Sequence, residues 1–148
     1  MHFPNLRTLA QDDLPKPLAL LLFTQRLAAL KDANVAMPRA FDILQDAPAP
    51  YGSASEQIKS EIEQGNALCQ AMPPQEREAN SDTWWHPRSL FQAMSKHPKL
   101  FAPVYITLVR AGETAGAVDE TLRRLNSALA REWRLLAAHP EEIGRAHV

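Results

Sequence analysis

The sequence predicts an all-α protein, a compact bundle of about six antiparallel helices. Three observations carry that prediction. The 148 residues include 23 Ala and 19 Leu against 16 Val, Ile and Thr together, which favours helix formers over strand formers. Apolar residues recur at three- and four-residue steps rather than at alternate positions. The 12 Pro fall mostly where helices would start or stop, so they divide the chain rather than break it.

Residues 1–16 read as a polar, flexible leader with no sustained period. The first helix opens near Pro17, and its stripe of Leu20, Phe23, Leu27 and Leu30, widened by Leu21 and Ala28, runs to about Ala33. Asn34 is a residue type that accepts the left-handed conformation ending a helix. Pro38 opens a short second helix with Ala40, Phe41 and Leu44 inward, and Ala47-Pro48-Ala49-Pro50 forms a loop. Ser53 with Glu56 has the spacing of a capping box for helix three, in which Ile58 and Ile62 face inward and Lys59 pairs with Glu63. Gly65 suits its exit. A polar insertion over about 70–87, carrying Trp84 and Trp85, reads as a long surface loop. Residues 67–72 and 89–94 resemble each other across it, as a small local duplication would leave them. Helix four spans about Arg88 to Lys96, and Phe101 and Pro103 open helix five, with Tyr105, Val109 and Gly112 on one face. Helix six is the plainest of all. Val118, Leu122, Leu125, Leu129, Trp133 and Leu136 form its seam, with Asp119 and Arg123, and Glu120 and Arg124, as pairs on the outside.

Composition excludes several classes of function. Sixteen Lys and Arg balance 17 Asp and Glu, so there is no basic surplus for a nucleic-acid backbone or an anionic membrane. The lone Cys69 cannot build a disulfide framework or the usual zinc modules. The longest apolar run, Leu18 to Phe23, is far short of the roughly 20 residues of a spanning helix. An enzyme needs a nucleophile, an acid/base pair or a metal cluster, and neither Cys69 nor His86, His97, His139 and His147 has the neighbours that would make one. Trp84, Trp85, Arg88, Lys96 and Lys99 offer stacking and charge, yet no groove or sheet on which to arrange a single strand. The expectation is therefore no catalytic residue, no cofactor, no metal and no nucleic acid.

The distinctive segment is Arg110-Ala111-Gly112-Glu113-Thr114-Ala115-Gly116, read as a tight turn between helices five and six. It lacks the Lys and the glycine pattern of a phosphate loop. Glu113 is expected to cap an amide at the start of helix six, or else to join Asp119 or Glu120 at a cation or at a partner's arginine. Gly112, Glu113, Gly116, Asp119 and Glu120 are accordingly the candidate structural or partner-binding residues.

Two stretches resemble one family. Phe23-Thr24-Gln25-Arg26-Leu27-Ala28-Ala29-Leu30, continued from Val35 to Leu44, is similar to the opening helices of the GspF/PilC family, the inner-membrane platform proteins of type II secretion and type IV pilus machines. The second stretch is His97-Pro98, Phe101 and the run from Leu108 to Leu122, whose Gly-Glu-x-x-Gly turn is the most specific mark. The resemblance covers roughly residues 18–135. Asn34 stands where the family usually has glycine, and the segment from Gln70 to His86 is extra.

The resemblance implies a non-enzymatic domain on the cytoplasmic side of the bacterial inner membrane, occupying about 17–136 and lying in a longer, membrane-embedded protein. It implies a role in coupling a cytoplasmic assembly or secretion ATPase to the polymerisation of prepilin-like subunits, contacts with other inner-membrane assembly proteins, and self-association. A free-standing helical adaptor for a protein partner is the alternative. A small hydrolase using Glu113 and a histidine is a poor third. Residues 137–148 read as an irregular tail, and Ile143 to Val148 back-translate into a common sequencing-library adapter, so the tail is expected not to be native.

Overall fold

A computed structural model describes residues 14–71 and 90–141. Six α-helices follow one another: α1 (Lys16–Asp32), α2 (Met37–Ile43), α3 (Tyr51–Ala71), α4 (Leu90–Ser95), α5 (Pro103–Thr114) and α6 (Val118–Ala137), with a short 3-10 turn (Leu44–Asp46) after α2. No strand occurs among the described residues, and the chain is an all-α bundle. Prolines stand in the first turns of α1, α2 and α5, where a missing N–H leaves no bond unmade.

The centre is aromatic. Phe23 of α1 lies 6.1 Å from Phe41, 5.2 Å from Tyr51 and 5.5 Å from Phe101, ring centre to ring centre, and Phe101 in turn lies 5.4 Å from Tyr105. Each pair adds about 0.5–1.5 kcal/mol beyond the area it buries. Both tyrosine hydroxyls are satisfied inside this cluster. Thr24 Oγ1 and Tyr105 OH are 2.8 Å apart, and Tyr51 OH donates to the carbonyl of Leu100 at 2.9 Å. α1 packs chiefly along α6, and Asp32 at its end accepts from Arg123 near the start of α6 at 2.9 Å, so the two helices run in opposite directions. Leu122 and Leu125 of the α6 seam are buried, with Val118, Leu129 and Trp133 packed against the same core.

Several expectations need correction. Arg123 reaches across to Asp32 rather than back to Asp119. Leu14 is only 8% exposed and joins the core, so the bundle includes a residue of the segment expected to be a leader. Ser53 and Glu56 form no capping box, because α3 already starts at Tyr51 and the Ser53 hydroxyl donates to the carbonyl of Pro50 at 3.1 Å. The early start follows from packing: Tyr51 is 1% exposed, and the next residue must be small, since a Cβ on Gly52 would lie 2.7 Å from the carbonyl oxygens of Gln45 and Ala47. Gly65 does not end α3 either; it is buried in mid-helix, where packing outweighs the roughly 1 kcal/mol by which Gly disfavours a helix. Most of the 70–87 insertion, with Trp84, Trp85, His86 and Arg88, lies outside the described residues, as does the tail beyond Glu141.

Candidate functional site

α5 ends in a Schellman motif. The amide of Ala117 donates to the carbonyl of Gly112 at 2.8 Å and that of Gly116 to Glu113 at 3.2 Å, with Gly116 at φ +67°. Gly112, Glu113 and Thr114 are thus the last turn of α5, and the turn itself is only Ala115-Gly116-Ala117. α1 ends the same way: Val35 donates to Leu30 at 3.0 Å and Asn34 to Lys31 at 2.9 Å, with Asn34 at φ +61°. Asn serves because its short polar side chain tolerates this conformation better than most.

Gly112 is needed for a different reason. It is buried where α5 meets α6, and a Cβ there would lie 2.9 Å from Cβ of Thr121 and closer still to the threonine hydroxyl. The missing side chain is what lets the two helices cross at this point.

Glu113 projects from this close crossing toward α4. Its Oε2 accepts the amide of Leu90 at 2.9 Å and its Oε1 that of Phe91 at 2.8 Å. It therefore caps a helix, but the helix is α4, more than twenty residues back in the chain, not the opening of α6 as expected. The carboxylate satisfies two of the N–H groups that a helix start leaves without intrahelical partners, and its charge suits the positive end of the helix. Arg110, one turn earlier on α5, places its guanidinium 5.5 Å from the centre of the Phe91 ring, a second tie between the same two helices. The sequence holds no pointer to this partnership, which joins residues whose spacing follows no local rule.

The remaining candidates do not gather around Glu113. Asp119 and Glu120 stand in the first turn of α6, where negative charge is favourable, and Glu120 pairs with Arg124 at 2.8 Å. Among the described residues no three His, Cys, Asp or Glu side chains form a group that could hold a metal ion. Nor, among them, is any helix long and apolar enough to cross a membrane. Beside the turn, α5 and α6 enclose a groove of about 840 Å3 lined by Leu108, Ala111, Ala115 and Ala128 and rimmed by Arg124 and Arg131. The arrangement is one of a rigid turn locked into a bundle, with an open apolar channel at its side.

Comparison with known proteins points in one direction. The profile of the family "Type II secretion system (T2SS), protein F" matches residues 23–138. The chain is 32% identical over 132 residues to the type II secretion system protein F of Xanthomonas campestris, covering 89% of this chain and 28% of that protein. It is 30% identical over 118 residues to the type IV pilus assembly protein PilC of Thermus thermophilus, covering 78% of this chain and 23% of that one. Against PilC of Pseudomonas aeruginosa it is 30% identical over 112 residues, 74% and 24% of the two chains. The chain therefore spans about a quarter of the length of these curated relatives.

Proposed function

Because the chain belongs to the type II secretion system protein F family, we propose that it is a cytoplasmic domain of a bacterial inner-membrane assembly platform for secretion or type IV pili. Its task is mechanical rather than catalytic. In this reading the domain takes movement from a cytoplasmic ATPase and hands it to membrane segments elsewhere in the protein, at the place where prepilin-like subunits are added. It works beside other inner-membrane assembly proteins, and copies of it associate with one another.

The family match across residues 23–138 carries the reading. The geometry supports it in kind. A transmitter must be stiff between its surfaces, and here the Glu113 carboxylate ties α5 to α4 while the Thr24–Tyr105 contact ties α1 to α5. Neither tie resembles a reactive centre, since both carboxylate oxygens of Glu113 are engaged by main-chain amides.

The test uses the full-length gene in its own bacterium. The product should fractionate with the inner membrane and crosslink to the secretion or pilus ATPase, and deleting it should abolish secretion or piliation. A native product that stays in the soluble fraction, with no ATPase crosslink, would instead support the free-standing adaptor.

A further inference from the structure

Two surfaces of the bundle complement each other. The first is the α5–α6 groove. α5 already gives Tyr105, Val109 and Gly112 to the core, yet its other face is also apolar: Val104 is 67% and Leu108 44% exposed, and Ala111 and Ala115 continue the stripe. Across the groove stand Arg124 and Arg131, seven residues apart and so separated by about 10.5 Å along α6. Arg124 is held by Glu120, whereas Arg131 has no ion-pair partner among the described residues.

The second surface is the outward face of α3. Glu56 and Glu63 are also seven residues apart, beside a strip of small exposed residues, Ser53, Ser60 and Ala67. Glu56 has no ion-pair partner among the described residues, and Glu63 has only a long 3.9 Å contact with Lys59. A narrow helix face of this kind can approach an apolar channel closely.

We infer that α3 of one copy lies in the α5–α6 groove of the next, antiparallel to α6, with Glu56 meeting Arg131 and Glu63 meeting Arg124. This direction joins Glu56 to Arg131, neither of which has an ion-pair partner among the described residues of its own copy. A second copy is the occupant because Arg124 and Arg131 match this chain's own Glu56 and Glu63 in both sign and spacing, while the groove's other arginine, Arg123, is already paired with Asp32. The chain's formal net charge of -1 leaves little mutual repulsion to oppose the contact. The two faces differ, so the contact is heterologous: each copy keeps one face open, and assembly continues until a ring closes or a filament grows. The inference rests on the self-association proposed above and assigns it a surface.

Sedimentation of the 148-residue chain tests it. The wild type should pass beyond a dimer as concentration rises, and should dissociate in high salt. Glu56→Arg/Glu63→Arg and Arg124→Glu/Arg131→Glu should each associate at least about tenfold more weakly. Mixed in equal amounts, the two should assemble again as an alternating series, because each variant's groove meets a ridge of opposite charge on the other. The neutral changes Glu56→Gln and Arg131→Gln, with helicity checked by circular dichroism, serve if a reversal unfolds the chain, and each should weaken assembly. A wild type that remains monomeric overturns self-association and this contact together. A wild type that assembles as strongly as its reversed variants, or a mixture that stays monomeric, overturns the contact alone.

Discussion

Glu113 makes two charge-assisted bonds to main-chain amides in one side chain. Hydrogen bonds to charged groups contribute about 1.5–3 kcal/mol, so Glu113→Ala should lower stability by about 2 kcal/mol or more in chemical denaturation. Glu113→Gln should lie between, because an amide has one acceptor oxygen and can serve only one of the two N–H groups. Equal losses for Ala and Gln would mean that the bidentate grip contributes nothing. The tyrosines allow a second test. The sequence contains only Tyr51 and Tyr105, and burial raises both above the ordinary value of 10.0. A phenol whose folded pKa is raised keeps its proton in the native state after the unfolded chain has lost it. Its contribution is therefore complete below pH 10.0 and declines as pH climbs from there toward the folded values. Tyrosinate absorbance should accordingly rise together with the loss of helical circular dichroism; a rise that precedes unfolding would show at least one ring open to solvent. Thr24 and Tyr105 share a buried hydroxyl contact, so Thr24→Val or Tyr105→Phe alone strands a polar group, and the double change should cost less than the sum of the two.

At the scale of elements, the crossing of α5 and α6 depends on Gly112. Alanine would gain up to about 1 kcal/mol in helix propensity, but the new Cβ meets Thr121, and overpacking of this kind costs about 1–3 kcal/mol. The second effect is larger, so Gly112→Ala should be destabilising in thermal melts, with part of the loss recovered by Thr121→Ala; a Gly112→Ala protein as stable as wild type would show that the helices separate freely. Much at this scale was legible in the sequence. Prolines and periodic leucines located α1, α2, α5 and α6 to within a few residues, because those signals act within one or two turns of the chain. Asn34 was legible for the same reason: a left-handed residue is a local necessity. The start of α3 was not, since Tyr51 and Gly52 are placed by the core and by carbonyls of Gln45 and Ala47. The role of Glu113 was half legible. Its position by a helix end suggested a cap, but which helix it caps is a property of packing.

For the molecule as a whole, the proposed transmission of force would require that the helices move as one body, and the core supplies a reason for them to do so. Phe23 is fully buried on α1 and touches aromatic rings from α2, α3 and the segment leading into α5. The α6 seam closes over the same cluster. With one core cluster among the described residues, local opening of α1, α3 or α5 must expose part of it, so the lowest-energy opening of these helices is close to global unfolding. Native-state hydrogen exchange should therefore find the best-protected amides of these three helices opening with the same free energy, equal to that from denaturation. Phe23→Ala gives the sharper form of the experiment. Truncating a buried Phe costs about 3–5 kcal/mol, a large share of the 5–15 kcal/mol that typically holds a domain together. If the bundle is one unit, that loss should appear undiminished in the exchange of α3 and α5 as well as of α1. If α3 keeps its wild-type protection while α1 loses its own, the bundle yields piecewise, and a force applied to one helix would be absorbed before it reached the others.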